Sequence, residues 1–215
     1  TTATFRLKAE PISPLASVSG AIFTEALAEV ENVSVSIHQD GLGVIDEEMT
    51  NEGGGFDFEM ETQQNYELIP YRNDDPLNGV NTLDLIYISQ HILGMQALNS
   101  PYEMIAADVN NSGSITAADL VELRKLILFI DEELNNNTSW RFVAESHAFF
   151  DPLNPFTSTF PEVYLLNGLT GDQMANFIAI KVGDVNGSAT PNQFLAGDTR
   201  DAVQTLAFEM EDQWL

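Results

Sequence analysis

Hydrophobic and polar positions change their period twice along this chain. Between residues 16 and 70 the period is two. Val33, Val35 and Ile37 alternate with Ser34, Ser36 and His38, and Phe56 and Phe58 alternate with Asp57 and Glu59. Alternation of this kind predicts half-buried strands. The runs "VSGAIF", "VENVSVSIHQ", "GGGFDFEM" and "NYELIPY" are punctuated by the turn formers of "HQDGLG" and "TNEGGG". Short strands and glycine-rich turns together predict a small antiparallel β-sandwich over residues 16–72.

From residue 73 to 134 the apolar positions recur every three to four residues, which predicts amphipathic helices. The segments "VNTLDLIYISQHILG" and "ITAADLVELRKLILF" are copies of one unit. Val80 and Ile115, Asp84 and Asp119, Leu85 and Leu120, Ile88 and Leu123, and Ile92 and Ile127 each stand 35 residues apart. Thr82 and Thr116 are placed to cap or open the two helices. After residue 134 both periods fade. "AFFDPLNPFTSTFPEVYLL" mixes aromatics with prolines, and residues 135–195 are expected to form an irregular wrap over a core. Within that wrap, Phe177, Ile178, Ile180 and Val182 predict one strand before the turn "GDVNGS". The end segments, residues 1–15 and 196–215, carry strand patterns. In the second, Leu206, Phe208 and Met210 alternate with Ala207, Glu209 and Glu211. The fold class expected is therefore α+β and modular: an N-terminal antiparallel sandwich, a helix pair, an irregular aromatic and proline-rich segment, and terminal strands.

The helix repeats are each preceded by a loop rich in side-chain oxygens. In 108–119, "DVNNSGSITAAD", Asp108, Asn110, Ser112, Thr116 and Asp119 occupy positions 1, 3, 5, 9 and 12. Ser114 offers its carbonyl at position 7, and Gly113 permits the sharp turn at position 6. Calcium takes six to eight oxygens, and a twelve-residue loop supplies them in this alternating register. A polar turn capping a helix would explain Gly113 and Thr116 but not the remaining spacing.

The sister loop, "NDDPLNGVNTLD", is degenerate. With Asp84 at position 12, Asn73 and Asp75 fall at 1 and 3, but Leu77 falls at 5 and Gly79 one step late. With Asn78 and Gly79 at 5 and 6, the loop is one residue short. Asp84, Asp75 and Asn78 are its candidate ligands, together with Asn73 or Asp74. A third fragment, "DVNGS" at 184–188, repeats the opening of the good loop. It is either an Asn-Gly turn, the simpler reading, or Asp184 and Asn186 reach an ion from outside and complete the deficient loop.

Two loop–helix units without entering helices, "NGVNTLDLIYISQHILG" and "ADVNNSGSITAADLVELRKLIL", resemble a dockerin domain. The resemblance implies calcium-dependent folding and noncovalent binding of a cohesin-like partner. The pattern "VSGAIF…VENVSVSI…GGGFDFEM…NYELIPY" resembles the carboxypeptidase regulatory-like (transthyretin-like) β-sandwich, which implies a non-catalytic module. Together they are similar to the large modular surface proteins of environmental bacteria.

Charge narrows the function classes. Thirty-three acids against eight bases give a net charge of −25, which argues against nucleic acid or an anionic membrane as partner. No apolar run approaches the ~18 residues that a membrane-spanning helix needs. The absence of cysteine excludes disulfides, thiolate metal sites and cysteine nucleophiles. His38, His91 and His147 sit in no catalytic or metal motif, and "VSGA" lacks the G-x-S-x-G context of a nucleophile. No enzyme is expected. Two carboxylates in the 108–119 loop, closed by Asp119 rather than the longer Glu, point to affinity near ~10⁻⁴ M, the range of extracellular sites. The opening "TTATFRLK" lacks both methionine and a signal-like apolar core, so a processed or excised piece is expected. The expectation is a calcium-stabilised extracellular module of a bacterial surface protein or filament, assembling with other modules or copies of itself through terminal strands. The alternative is a docking module for a cohesin-like domain.

Overall fold

The computed structural model describes residues 14–192, so the two expected terminal strands lie outside the described residues. Nine strands and three helices build two stacked sheets with a helical unit on one flank. β1 (Leu15–Thr24) pairs antiparallel with β4 (Gly55–Glu61), setting Val18 opposite Phe58. Beyond Ala21 it pairs in parallel with β9 (Phe177–Lys181), setting Ile22 opposite Phe177. β9 pairs antiparallel with β6 (Trp140–Ala144), completing the order β4-β1-β9-β6, with the two-residue β8 (Gln173–Met174) on β1. The second sheet has the order β3-β2-β5-β7, from β2 (Ser34–Gln39), β3 (Gly43–Met49), β5 (Tyr66–Tyr71) and β7 (Tyr164–Leu166). Pro70 pairs opposite Val35, at a point of β5 that β7 does not reach.

The sandwich predicted for 16–72 is there only in part. β6 to β9 contribute strands to both sheets, and the expected irregular wrap over 135–195 is corrected accordingly. The reason is burial. Trp140, Phe142, Ala144, Phe177 and Ala179 enter the sandwich core with Val18, Ile22, Val35, Ile37 and Leu68. Val143 and Ile180, which alternate with them, enter a second core with Ile88, Ile105, Leu123 and Leu126. A strand covered on both faces reads as a continuous apolar run and loses the period-2 signature. β6 and β9 are thus a wall shared by two cores.

The helical unit lies between β5 and β6 in sequence. α1 (Thr82–Ile92) and α3 (Ala117–Ile127) are the two predicted helices, each opened by a capping box: Asn81 with Asp84, and Thr116 with Asp119. A third helix, α2 (Pro101–Ala107), was not predicted from the apolar period, since seven residues are too few to display one. Its signal is local: Ser100 at the N-cap accepts the N–H groups of Tyr102 and Glu103, and Pro101 occupies N1. β3 was also missed, because all seven of its residues are solvent-facing or half-exposed at a sheet edge.

Candidate metal centres

The loop from Asp108 to Asp119 connects α2 to α3. Asp108 is the C-cap of α2 and Asp119 sits in the first turn of α3, and both are fully buried. Asp108 Oδ1 accepts the Ser112 N–H at 2.8 Å and Oδ2 accepts the Gly113 N–H at 2.8 Å. Asp119 Oδ1 accepts the Asn110 N–H at 3.1 Å and Oδ2 accepts the Thr116 N–H at 2.8 Å. Asn110 Oδ1 accepts the Ser112 N–H at 3.1 Å, and the Ser112 hydroxyl donates to the Ser114 carbonyl at 3.2 Å. Asn111 and Gly113 take left-handed backbone with φ of 53° and 75°, which winds the loop tightly enough for this convergence.

The second arrangement repeats most of these bonds on a broken chain, and differs at Asp84 Oδ1, which accepts from Val185 and the Asn186 side chain where Asp119 Oδ1 accepts the Asn110 N–H. Asp184 Oδ1 accepts the Ser188 N–H at 3.1 Å and Oδ2 accepts the Ala189 N–H at 2.7 Å, repeating the pattern of Asp108 four and five residues on. The Ser188 hydroxyl donates to the Gly79 carbonyl at 2.9 Å, as Ser112 does to Ser114. Asp84 Oδ2 accepts the Asn81 N–H at 2.9 Å, as Asp119 does from Thr116. Asp84 Oδ1 accepts the Val185 N–H at 3.1 Å and the Asn186 side-chain amide at 2.8 Å. Gly187, with φ of 67°, stands where Asn111 stands. Positions 1, 3 and 5 thus come from Asp184, Asn186 and Ser188, and positions 7, 9 and 12 from Gly79, Asn81 and Asp84. A Cβ on Gly79 would lie 2.5 Å from Ala189 N and 2.7 Å from Asp184 Oδ2, so only glycine lets the two segments meet.

The remaining residues expected in the first loop do other work. Asn73 Oδ1 accepts the Ser139 N–H at 2.8 Å, tying the helical unit to β6. Asn78 donates to the Thr190 carbonyl at 2.8 Å and accepts the Thr190 N–H at 3.0 Å, clamping the 184–190 segment in place. Asp75 is exposed, in a turn at φ of 39°. Ser188, Gly79 and Asn81 were not among the candidates. Ser188 was legible as position 5 of "DVNGS"; Gly79 and Asn81 become candidates only once Asp84 is paired with Asp184.

Each arrangement offers two carboxylates, an amide or hydroxyl set and a backbone carbonyl, an all-oxygen donor set that fits a hard cation such as calcium. Among the described residues no group of three or more His, Cys, Asp and Glu side chains could hold a metal, so any ion would rest on few formal charges and many neutral oxygens. Asp84, Asp108, Asp119 and Asp184 are buried, and none takes part in the three ion pairs among the described residues, Arg72–Asp74, Lys125–Asp131 and Arg141–Glu162, although the Lys181 ammonium lies within electrostatic reach of Asp184. Burying a carboxylate without a countercharge is costly. The cost shows at Asp84, whose carboxyl is pushed up to about 6 by burial, with the Asp184 carboxylate adding to the rise against the Asn81, Val185 and Asn186 donors.

The three histidines make structural contacts. His38 Nε2 lies 3.2 Å from the Ser36 hydroxyl, His91 Nδ1 accepts the Leu98 N–H at 3.1 Å, and His147 packs edge-on against Phe149. Among the described residues no helix is long and apolar enough to cross a membrane.

Comparison with known proteins gives one family match and a set of distant structural likenesses. No curated protein matches the chain. The Bacillus anthracis TIE protein aligns at 14% identity and a TM-score of 0.25, over 26% of this chain and 11% of its own. A dioxygenase domain from a dioxygenase–carbohydrate-binding fusion of Streptomyces sp. SirexAA-E aligns at 14% identity and 0.25, over 30% of this chain and 52% of its own. A C-terminal fragment of the pilus adhesin SpaC from Lactobacillus rhamnosus GG aligns at 8% identity and 0.26, over 29% of this chain and 25% of its own. The chain thus spans about half or less of each of these structures, and the alignments carry no argument about fold or function. The family match is local and specific: residues 76–128 match the model described as Dockerin type I domain, a calcium-binding type of module, and that span holds α1, α2, α3, the whole 108–119 loop and Asp84, but not Asp184–Ser188.

Proposed function

We propose that the chain is a non-catalytic, extracellular structural or adhesion module of a bacterial surface protein or filament, in which calcium fixes a dockerin-like helical unit onto a β-sandwich. The observation that carries this reading is the convergence of Asp184, Asn186, Ser188, Gly79, Asn81 and Asp84 in hydrogen bonds that repeat most of those within 108–119. In that second arrangement half of the ligands stand at the start of α1 and half just beyond β9. An ion there would bond the helical unit to the sandwich wall. A docking module on a flexible tether has no use for such a joint; a load-bearing module does.

The test is metal content and calorimetric titration with calcium. Two ions per chain, and a large loss of thermal stability in chelator, are expected; zero ions and no chelator effect would refute the proposal.

A second reading is favoured by the exposed apolar side chains Leu83 and Ile86 on α1, Val121 on α3, and Leu128 and Phe129 just after it. They fit a docking face for a cohesin-like partner. A 1:1 complex with a purified cohesin domain, lost on Ile86→Glu or Val121→Glu, would establish that reading.

A further inference from the structure

The sandwich leaves one conspicuous edge. β6 lies against the 160–162 segment, where the Ala144 N–H donates to the Pro161 carbonyl, and β7 is three residues long, whereas β3 runs for seven residues with a single neighbour, β2, among the described residues. Leu42 is 70% exposed, Val44 56% and Met49 52% on this margin. Unpaired, apolar edge strands invite addition of another strand, and monomeric proteins usually blunt them. β4, the other edge on this side, is partly blocked, because Glu48 Oε2 accepts the outward Asp57 N–H at 2.8 Å. The β3 edge is also acidic, through Asp46, Glu47 and Glu48. It therefore selects an extended strand that alternates apolar and basic residues.

This chain contains one such stretch. Its eight bases are sparse, with none between Lys8 and Arg72, yet Arg6 and Lys8 alternate with Phe5 and Leu7 in the first ten residues. The C-terminal stretch would set Glu209, Glu211 and Asp212 against three more acids. The N-terminal stretch leads into Pro14, whose carbonyl accepts the Thr62 N–H at 2.9 Å at the far end of β4. To lie along its own β3 it would have to reverse direction within residues 10–14, Glu-Pro-Ile-Ser-Pro. Two prolines, and the residues before them, favour an extended course there.

We propose that residues 4–9 of one copy add as an edge strand to β3 of a second copy, with Arg6 and Lys8, which share one face of a strand, set against Asp46 and Glu48, which share one face of β3. The proposal rests on the structural-module reading above and names the contact by which copies join.

The experiment uses the full chain with saturating calcium and reads its association constant by sedimentation velocity. Concentration-dependent self-association is expected for the wild type. Arg6→Glu with Lys8→Glu should weaken it by ~10-fold or more, as charge reversal of two pairs at a rim implies. Asp46→Lys with Glu48→Lys should weaken it similarly, and mixing the two double variants should restore association. A synthetic peptide of residues 1–12 should compete with assembly. A monomeric wild type overturns the proposal, even if the peptide binds it, and so does assembly indifferent to the charge reversals or not rescued by the mixture. Calcium stoichiometry is measured on the same variants. Assembly through β3 in a protein that binds no calcium would refute the function proposed above and leave this contact standing.

Discussion

Replacing Asp184 by alanine separates a metal joint from an ordinary turn. The substitution removes the acceptor of the Ser188 and Ala189 N–H groups and one of the two carboxylates of the split arrangement, and it leaves every residue of 108–119 untouched. Without calcium, the loss of two charge-assisted hydrogen bonds near the surface should cost ~1–3 kcal/mol, since water can reach the freed amides. That cost is the same in either reading. The discriminating quantity is the extra stability that calcium confers. At a dissociation constant near ~10⁻⁴ M and ~10 mM calcium, each occupied site adds ~2.7 kcal/mol. Two sites then raise the melting temperature of a protein this size by ~10–20 °C, and one site by about half of that. Calorimetric melting of wild type and Asp184→Ala, each with calcium and with chelator, therefore gives two shifts. A variant shift about half that of the wild type, with stoichiometry falling from two to one, is expected. Equal shifts with unchanged stoichiometry would refute the role given to Asp184.

Other substitutions probe the joint and its supports. Gly79→Ala forces a Cβ into Ala189 N and Asp184 Oδ2 at a φ of 78°; it should cost ~2–4 kcal/mol and abolish one calcium site while Asp108→Ala abolishes the other, both read by titration. Ile88→Ala, in the helical core, should cost ~2–5 kcal/mol, and Trp140 fluorescence in the sandwich should report the same lowered midpoint as helix circular dichroism, because β6 and β9 belong to both cores. Two separate transitions would contradict the shared wall. Lys181 lies buried beneath the joint, donating to the Pro76 carbonyl at 3.0 Å and the Ser139 carbonyl at 3.3 Å, and burial lowers its ammonium from 10.5 to about 8. Below pH 8 it is charged in both states; between 8 and 10.5 the unfolded chain binds the extra proton, so stability should rise with pH across that window by up to ~3 kcal/mol. Lys181→Met should flatten the rise in urea titrations from pH 7.5 to 10, and an unchanged slope would reject the assignment.

The periodic parts of this protein were legible because each shows one face to solvent. Val33, Val35 and Ile37, or Ile88 and Leu123, announce their elements by the polar residues between them. The 108–119 loop was legible for a different reason: all six of its oxygen positions fall within one twelve-residue stretch, so spacing alone carries the pattern. β3 was illegible because an edge strand buries nothing, and β6 and the role of β9 because strands buried on both faces lose their alternation. The second arrangement marks the boundary most sharply. "DVNGS" and "NGVNTLD" are each an incomplete loop in sequence, the second ending at Asp84. The sequence left open whether Asp184 and Asn186 meet that loop, and tertiary structure brings them there: β9 runs parallel beside β1, Ile180 and the following Val182 pack in the helical core, and the 184–188 turn is delivered to the start of α1. Local chemistry is written in neighbouring residues, while a contact across 100 positions depends on which buried faces pack together.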